Sequence, residues 1–366
     1  KMNNGKHIIH LASNKEWGGG EQYIHDLCAR LKADGYQITM FIRDVDVIKE
    51  RMADLNVPTL TLPPGGAFSV GRALKLARFL KNAGECVVCA HNFKDAFTAV
   101  YARIMSGNRL VRVVMTRHLV RKGKGDALHR WMYRRLDKII FDSELSCREF
   151  LSGCADLAPK LNTCVVPIGI NVPEDLKNAD LRKEFGIDDK SVVAMFHGRL
   201  DAEKGLDVLI EAMSKLQDID LHLILIGTGH DDYVAELKQH IAGCGLTDRV
   251  SFAGFRNPVL PCLGSCDFGL LPSIVREGYP LSPMEYMSQG RCVIATDNGG
   301  QKEYLTSGDN ALLVKPGDAD MLADAIRRLA TDKALRDKLS TKAYADFSQK
   351  MSYNKFIERI EEAYEH

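Results

Sequence analysis

The feature that most constrains the fold is a regular alternation of short apolar runs with longer amphipathic stretches. In the first half, strands are predicted at HIIHLA (7–12), QITMFIR, ECVVCAH, LVRVVMT and KIIFDS. In the second half they are predicted at SVVAMFHG, LHLILIG, VSFAG, DFGLLPS, RCVIATD and ALLVK. Strands that alternate with helices are typical of parallel sheets covered by helices on both faces. The pattern predicts an α/β fold.

A polar stretch at 174–190 separates the two halves, and 366 residues are too many for one ordinary core. We expect two doubly wound, Rossmann-like domains, over 1–170 and 171–350, followed by a C-terminal helix over 351–366. Ligands of such sheets bind beyond the carboxyl ends of the strands. The chemistry is therefore expected in a cleft where the two domains face each other.

Composition narrows the class of protein further. The net charge of +1 argues against a general polyanion binder. No apolar run approaches the roughly 18 to 20 residues of a membrane-spanning helix, and no signal-like core follows the N-terminus. These features predict a cytoplasmic protein with reduced, buried cysteines. The single Cys-x-x-Cys, Cys86 and Cys89, lies in a predicted strand whose alternating faces separate the two thiols, so we expect no shared metal ion.

A glycine-rich turn follows the first predicted strand. Trp17 and Gly18 are followed by Gly19, Gly20 and Glu21, just before a predicted helix. Glycines let backbone amides approach a ligand, and a helix N-terminus favours an anion such as phosphate. The turn matches neither a dinucleotide fingerprint nor a P-loop. A flexible connection without a ligand is the alternative interpretation.

Two cations lie in the loop after the strand that opens the second half. Arg199 and Lys204 occur in HGRLDAEKG, where a guanidinium and an ammonium can converge on a diphosphate. Such a pair could replace a metal ion. A solvated pair of surface charges is the alternative.

Two carboxylates, Glu277 and Glu285, frame the segment EGYPLSPME. Gly278 is expected to permit an unusual turn, Ser282 to cap a helix and Pro283 to occupy its first position. Carboxylates in this setting are suited to accept hydrogen bonds from vicinal sugar or ribose hydroxyls. Alternatively, Ser282 and Glu285 form only a local capping box.

These motifs, in this order and on strand-loop-helix junctions, resemble those of the family 4 retaining glycosyltransferases of GT-B fold. The resemblance includes the segment ATDNGGQKEYLTSGDNALLV and is strongest from 191 to 333. It implies a retaining hexosyltransferase-type enzyme that needs no metal and no cofactor beyond a nucleotide-diphosphate sugar as co-substrate. Its first domain would bind the acceptor and its second the donor. The final helix would pack back on the first domain.

The resemblance also implies roles for residues of the second half. Arg199 and Lys204 would hold the donor pyrophosphate, Glu285 the ribose and Glu277 the hydroxyls of the transferred sugar. Backbone amides would position phosphate and sugar at Gly278, Leu281 and Ser282, and in the first half at Gly19 and Gly20. Arg256 lies where family members recognise the base.

Histidines at the ends of two first-half strands are further candidates. His118, in MTRHLV, matches the family's active-site histidine, and His91, in AHNF, is a second candidate. Either residue could instead be a hydrogen-bonded structural histidine. Asp44 and Asp46 resemble the Asp-x-Asp of metal-dependent glycosyltransferases of another fold, and we expect no metal there.

The segment from Tyr101 to Lys138 carries eleven lysines and arginines against two aspartates, a difference of +9. Within it, HRWMYRR interleaves aromatic and cationic residues, which favours peripheral contact with an anionic membrane or an anionic acceptor. No RNA- or DNA-binding motif accompanies the segment. The alternative is that Leu128 and Trp131 face the core and the arginines are solvated.

The sequence thus predicts transfer of a sugar, with UDP as the favoured nucleotide, to a saccharide or lipid-linked acceptor in bacterial lipopolysaccharide or surface polysaccharide synthesis. A nucleotide-sugar epimerase of the same fold and a non-catalytic nucleotide-sugar or membrane-binding protein are the alternatives. A dinucleotide-dependent oxidoreductase is disfavoured, because Gly227-Thr228-Gly229 continues with Asp232 where a third glycine should lie.

Overall fold

A computed structural model describes residues 5–16 and 19–365 and contains two parallel sheets, of seven and six strands. The chain divides into two units. The first unit comprises Lys1–Pro167 together with Ile357–His366, and the second unit comprises Ile168–Phe356. The predicted α/β class, with two doubly wound sheets, is confirmed.

The sheet of the first unit has seven strands, and each pairs in parallel with its neighbours. They are β1 (His7–Ala12), β2 (Gln37–Arg43), β3 (Thr59–Leu62), β4 (Cys86–Ala90), β5 (Val111–Arg117), β6 (Lys138–Phe141) and β7 (Thr163–Val165). Their spatial order is β3-β2-β1-β4-β5-β6-β7. The order reverses between β1 and β4, which makes the carboxyl ends of these two strands the expected ligand edge.

The helices between these strands are α1 (Gly19–Ala33), α2 (Asp46–Met52), α3 (Val70–Leu80), α4 (Phe93–Ser106), α5 (Ala127–Tyr133) and α6 (Glu144–Ser152). Side chains mark their ends in the usual way. At the start of α4, Asn92 accepts a hydrogen bond from the Asp95 N–H over 2.9 Å, and Gly107 ends the helix with φ 67°. Asn92 satisfies one of the free amides of the first turn, and Gly107 adopts the left-handed conformation without a Cβ clash.

The six strands of the second unit are β8 (Val192–His197), β9 (Leu221–Ile226), β10 (Val250–Gly254), β11 (Phe268–Leu271), β12 (Cys292–Thr296) and β13 (Ala311–Val314). They are all parallel, in the order β10-β9-β8-β11-β12-β13. This is the 3-2-1-4-5-6 order of nucleotide-binding sheets, and its reversal lies between β8 and β11.

The helices of the second unit are α7 (Leu181–Glu184), α8 (Leu206–Ser214), α9 (Asp231–Gly243), α10 (Leu260–Leu263), α11 (Ser282–Ser288), α12 (Ala319–Thr331) and α13 (Lys333–Asp346). Apolar clusters fill both faces of the sheet, one against α8, α9 and α12 and the other against α10 and α11. Most of these strands are buried on both faces and are therefore apolar runs that can be recognised in the sequence. The edge strand β10 is only partly buried, and its alternating sequence VSFAG was recognised as well.

Two strands of the first unit were not predicted individually. They are β3, with sequence TLTL, and β7, with sequence TCV, and they form the two edges of the seven-stranded sheet. Both strands are short and only partly buried. An edge strand needs neither length nor a continuous apolar run, so the sequence signal is weak.

The last helix, α14 (Tyr353–Glu365), runs from the second unit into the first. Its predicted apolar stripe, Phe356, Ile360 and Tyr364, is buried. In the first unit, Arg112 Nη1 donates to the Tyr364 carbonyl over 2.7 Å, and the Tyr36 hydroxyl donates to Glu361 over 3.0 Å. These bonds fix the end of the chain to the first unit.

All ten cysteines are free thiols; Cys164 and Cys244 are half-buried and the other eight are buried. Cys86 and Cys89 lie on β4, as predicted. Among the described residues, no helix combines the length and the apolar character needed to cross a lipid bilayer.

Candidate functional site

A cavity of about 350 Å³ lies where the strand order of the second unit reverses. We call it the switch-point pocket. Its lining comes from the carboxyl ends of β8, β9 and β10, from the residues that directly follow these strands, and from one residue of α11. The lining residues include His197, Arg199, Gly227, Phe255, Arg256 and Glu285. Three of the predicted donor-binding residues, Arg199, Arg256 and Glu285, therefore line one pocket at the ligand edge of the sheet.

Glycines allow the loops around this pocket to touch through their backbones. Gly227 has φ +139°, and a Cβ there would lie 1.9 Å from the Gly198 carbonyl oxygen. Gly205 has φ +70°, and its Cβ would lie 2.1 Å from the Pro272 carbonyl oxygen. Because a Cβ contact below 3.0 Å forces something to shift, larger residues would push these loops apart.

An ion pair joins two of the predicted site residues. Lys204 Nζ lies 2.6 Å from Glu277 Oε1, and the Ser273 hydroxyl donates to the same oxygen over 2.6 Å. The Lys204 and Glu277 side chains are only 22% and 15% exposed. The pair connects the loop after β8 to the loop after β11, on the two sides of the strand-order reversal.

Arg199 has different partners. Its guanidinium is 65% exposed and contacts Asp201 and Glu203, both in its own loop. Arg199 and Lys204 therefore bind different carboxylates in this structure, and their joint action on a diphosphate stays a prediction. The exposed guanidinium is the more accessible of the two for an incoming anion.

Glu285 lies deep in the pocket beside His197. Their Oε2 and Nε2 atoms are 3.2 Å apart, and the side chains are 20% and 9% exposed. Burial raises the pKa of Glu285 to about 7. Burial also lowers the pKa of His197 to about 4, against the opposing effect of a hydrogen bond with the Ser282 backbone. At neutral pH this is a neutral imidazole beside a carboxyl group close to its titration point.

The start of α11 differs from the prediction. Leu281 is the N-cap residue, no side chain caps the helix, and Ser282 is already its first residue. The predicted Ser282 cap and the alternative capping box are therefore both wrong. Leu281 has helical angles, φ −84° and ψ −29°, so the helical conformation begins before Ser282 could act as a cap. Pro283 accordingly lies one position later than predicted.

The turn expected at Gly278 is also different. Gly278 is not among the glycines with positive φ. Instead a Cβ on Gly300 would lie 1.8 Å from the Gly278 carbonyl oxygen, and the Gly300 amide donates to the Glu277 carbonyl over 3.0 Å. The glycine that permits the close approach is therefore Gly300, in the segment after β12.

Arg256 lines the pocket, and its guanidinium has two partners. Its Nε donates to the Ala253 carbonyl over 2.9 Å, and its guanidinium pairs with Glu184. The neighbouring Phe255 lines the pocket and is 71% exposed. An exposed aromatic ring there offers a planar apolar surface to a ligand.

In the first unit, three histidines form a column across neighbouring strands. His10 lies in β1, His91 follows β4 and His118 follows β5. His10 Nδ1 is 3.1 Å from His91 Nε2, with stacked rings. The His91 and His118 rings are also stacked, with centroids 6.4 Å apart. The structure thus brings both predicted histidines together and adds His10.

The environment of the column keeps its inner members neutral. Burial lowers the pKa of His10 to about 4 and that of His91 well below its usual value, the latter with help from His10 and His118. His118 is the outermost member, with a side chain 23% exposed. Its Nδ1 lies 3.6 Å from an Asp142 oxygen, and the Tyr23 ring packs edge-on against it at 4.6 Å.

The glycine turn is described only in part. Gly19 and Gly20 are the first two residues of α1, whereas Trp17 and Gly18 lie outside the described residues. The preceding Ser13 is fixed from both sides: its amide donates to Asp95 over 3.3 Å, and Lys94 donates to its carbonyl over 3.1 Å. These bonds position the start of the turn next to the first residues of α4.

Asp44 and Asp46 share a cation. Lys49 Nζ lies 2.9 Å from an oxygen of each carboxylate. The Asp-x-Asp pair therefore forms a local ion-pair cluster at the start of α2.

The basic segment is only partly solvated. Arg103 pairs with Asp137 at 2.6 Å, the buried Arg117 lies 4.2 Å from the Phe93 ring centroid, and Arg135 lies over the half-buried Trp131. In contrast, residues 119–124, which we call the basic loop, carry exposed Leu119, Arg121, Lys122 and Lys124. This loop directly follows His118.

Sequence reasoning missed three pocket features. His197 and Phe255 were not selected as site residues, and Gly227-Thr228 was interpreted only as an incomplete fingerprint. His197 is the last residue of β8, and Gly227 and Phe255 directly follow β9 and β10. A position at the carboxyl end of a strand is the signal that could have identified them.

Comparison with known families agrees with this architecture. Residues 177–346 match the family described as Glycosyl transferases group 1, and residues 17–172 match Glycosyltransferase Family 4. The two matches follow each other along the chain and together cover most of it. The chain belongs to the group 1/family 4 glycosyltransferases of GT-B fold.

Individual relatives are more distant. The chain is 31% identical over 175 residues to alpha-D-kanosaminyltransferase of Streptomyces kanamyceticus, covering 46% of this chain and 44% of that protein. It is 31% identical over 154 residues to the lipopolysaccharide core biosynthesis glycosyltransferase LpsE of Rhizobium meliloti, covering 42% and 43%. The chain thus spans less than half of the length of these two curated relatives.

A solved structure resembles the fold along nearly its whole length. Anabaena Alr3699/HepE in complex with UDP has a TM-score of 0.82 and 22% identity, covering 97% of this chain and 98% of that one. At this identity the likeness shows the fold alone.

Proposed function

We propose that the protein is a retaining glycosyltransferase that transfers a hexose from a nucleotide-diphosphate sugar, with UDP as the nucleotide. One observation carries the proposal: Arg199, Arg256 and Glu285 line a single pocket at the strand-order reversal of the second unit. The UDP complex of the structurally similar HepE supports the choice of nucleotide.

Each group in and beside the pocket then has a chemical role. The exposed Arg199 guanidinium binds the diphosphate as a bidentate donor. Glu285 accepts hydrogen bonds from the ribose hydroxyls, with His197 packed behind it. Arg256 and Phe255 border the base, and Glu277 contacts hydroxyls of the transferred sugar.

Negative charge that develops on the leaving diphosphate explains why the site contains cationic side chains. Breaking the bond between the anomeric carbon and the diphosphate oxygen leaves negative charge on the diphosphate and positive character on the sugar. Arg199 and Lys204 stabilise the leaving diphosphate, a role that a metal ion fills in other enzymes. The Lys204–Glu277 pair also places a carboxylate near the electron-poor sugar.

The resemblance to the family 4 retaining glycosyltransferases supports retention of the anomeric configuration. In a same-face reaction the departing phosphate oxygen takes the proton of the incoming hydroxyl, so no separate general base is required. Each turnover then yields the glycosylated acceptor and the protonated nucleoside diphosphate.

The first unit binds the acceptor in this proposal. His118 contacts the acceptor or the sugar from the end of β5, and His91 and His10 support its ring from below. The glycine turn at Gly19 and Gly20 binds through its backbone. The similarity to LpsE supports a saccharide or lipid-linked acceptor of surface polysaccharide synthesis.

The basic loop would bring the protein to such an acceptor at the inner face of the cytoplasmic membrane. Leu119 is 54% exposed, next to three exposed cations. An apolar residue flanked by cations binds anionic bilayers through both burial and charge.

The direct test is incubation of the purified protein with UDP-hexoses and GDP-hexoses, each with and without lipid-linked or core-oligosaccharide acceptors. The expected product is a glycoside whose anomeric configuration, measured by NMR coupling, equals that of the donor. Inverted product would contradict the proposal. Conversion of the donor to another nucleotide sugar in the absence of acceptor would identify an epimerase. Binding of the donor without formation of any product would identify a non-catalytic binding protein.

A further inference from the structure

The second unit contains another cavity, of about 560 Å³, at the opposite edge of the same sheet. Asp267 and Arg291, which line it, immediately precede β11 and β12, whereas the switch-point pocket is lined by residues that follow strands. Lys333, Arg336 and Tyr344 of α13 form its other wall. We call this cavity the amino-edge pocket.

The two carboxylates of the amino-edge pocket are already engaged. Asp267 Oδ2 accepts from Arg182 over 2.6 Å and from the Val193 amide over 2.8 Å. Asp337 pairs with Lys333 at 2.5 Å. Neither carboxylate is therefore free to neutralise further cations fully.

Among the described residues, Arg291 forms no ion pair, and the ion pair of Arg336 is a long one. Arg291 Nη2 donates to the Gly264 carbonyl over 2.7 Å, and its Nε is buried and has no hydrogen-bond partner among the described residues. Arg336 donates to the Leu329 carbonyl and lies 3.9 Å from Asp267. Carbonyl oxygens satisfy N–H groups but do not cancel a charge, so the pocket keeps positive charge.

The charges of both guanidinium groups act on the Cys292 thiol. Burial raises the pKa of Cys292, while the charges of Arg336 and Arg291 act in the opposite direction. Both arginines therefore lie within electrostatic range of Cys292, the residue that follows Arg291 and begins β12.

Size and chemistry together indicate a ligand. The cavity falls within the range of roughly 300 to 1,000 Å³ found for small-molecule sites. Guanidinium groups match phosphate oxygens in geometry and charge. Tyr344, 52% exposed, offers an aromatic face to a ring attached to that phosphate.

We propose that the amino-edge pocket binds a small phosphate, either a phosphate monoester of a sugar or inorganic phosphate, independently of the switch-point pocket. Arg291 and Arg336 hold the phosphate, Lys333 adds charge at the rim, and Tyr344 packs against the sugar when one is present. The site requires no transfer reaction, so it does not depend on the proposed function.

Calorimetric titration of the full chain with inorganic phosphate, a hexose 6-phosphate and the unphosphorylated hexose tests this site. Arg336→Gln is expected to weaken phosphate or phosphate-ester binding by about tenfold or more, since it removes a charged hydrogen-bond donor. Arg327→Gln is the matched control, because Arg327 pairs with Asp218 on the surface of α12, outside the pocket. Lys333→Gln, at a side chain 76% exposed, provides a second variant if Arg336→Gln does not fold.

The titrations distinguish a sugar phosphate from inorganic phosphate as the ligand. Tighter binding of the ester than of phosphate, reduced in Tyr344→Ala, identifies a sugar phosphate; equal binding identifies inorganic phosphate. Absence of binding would overturn the proposal, as would binding that ignores both Arg336→Gln and Lys333→Gln. Binding lost in Arg199→Ala would also overturn it, because the phosphate would then occupy the switch-point pocket.

Discussion

Lys204 and Glu277 form an ion pair, 2.6 Å from Nζ to Oε1, that bridges the loops after β8 and β11. These loops flank the point where the strand order of the second unit reverses. The pair therefore places one positive and one negative group together at the position where a doubly wound sheet binds its ligand. This arrangement suits a reaction that separates charge between a diphosphate and a sugar.

Replacing Lys204 by Ala removes a charged donor to the leaving diphosphate. We expect the turnover number for sugar transfer to fall by about 10² to 10³. The Glu277 carboxylate would still accept a hydrogen bond from the Ser273 hydroxyl. Lys215→Ala, which removes an exposed ion pair of α8 and α12, is the control and should leave turnover unchanged. Equal rates in the Lys204→Ala and Lys215→Ala variants would exclude this role for Lys204.

Gly227→Ala tests the backbone contact that shapes the pocket. The added Cβ would lie 1.9 Å from the Gly198 carbonyl oxygen at φ +139°, so we expect weaker nucleotide binding and a lower melting temperature. Gly243→Ala is the matched control, since nothing lies within 4 Å of its Cβ. That substitution, at the end of α9, should leave binding unchanged. Wild-type binding by Gly227→Ala would show that the loops need no close approach.

The buried Glu285 makes stability depend on pH. Burial raises its folded-state pKa to about 7, above the ordinary value of 4.5, so the folded protein binds more protons than the unfolded chain between these values. Its contribution to stability is therefore present at low pH and lost as pH rises towards 7. Burial lowers the folded-state pKa of His197 from 6.5 to about 4. The contribution of His197 to stability therefore has the opposite pH dependence: it is present above pH 6.5 and is lost as pH falls towards 4.

Glu285→Gln removes the first of these contributions and leaves the second. We compare the free energy of unfolding of this variant with that of wild type at two pH values. The difference, variant minus wild type, should be larger at pH 8 than at pH 5 by about 1 to 3 kcal/mol, because one pKa unit corresponds to about 1.4 kcal/mol. Urea unfolding at the two pH values measures the difference. A difference that does not change with pH would mean that the carboxyl titrates normally.

The basic loop is tested by charge reversal. The triple variant Arg121→Glu, Lys122→Glu, Lys124→Glu should lose most of its binding to anionic vesicles at low salt, since each cation contributes about 1 kcal/mol near such a surface. The control reverses three exposed lysines of the second unit, Lys302, Lys315 and Lys338, and so has the same net charge. Equal loss of sedimentation with vesicles in both variants would show that net charge alone governs binding.

The α/β fold could be predicted from the sequence because buried parallel strands are continuous apolar runs. All six strands of the second unit were predicted, including the partly exposed edge strand β10. The edge strands β3 and β7 were not predicted, because they have only four and three residues and Leu62 is the one buried residue among them. The grouping of Arg199, Arg256 and Glu285 was predictable from their positions after strands and at a helix start, because these ends meet at one edge.

The features of the site that were not predicted from the sequence depend on tertiary contacts. Nothing local in the sequence distinguishes Gly278 from Gly300, and only the packing of the two loops shows that Gly300 permits the close approach. Similarly, His10 is one residue of an apolar strand. Its place beside His91 depends on the pairing of β1 with β4, which are separated by two other strands along the chain.

Calorimetric titration of the purified protein with UDP, in the presence of a metal chelator, tests the central claim most directly. The account predicts metal-independent binding to the wild-type protein, weakened by about tenfold to a hundredfold in Arg199→Ala and unchanged in Arg327→Gln. Failure to bind UDP or any other nucleoside diphosphate, or equal affinity in all three proteins, would contradict the assignment of the switch-point pocket as the donor site.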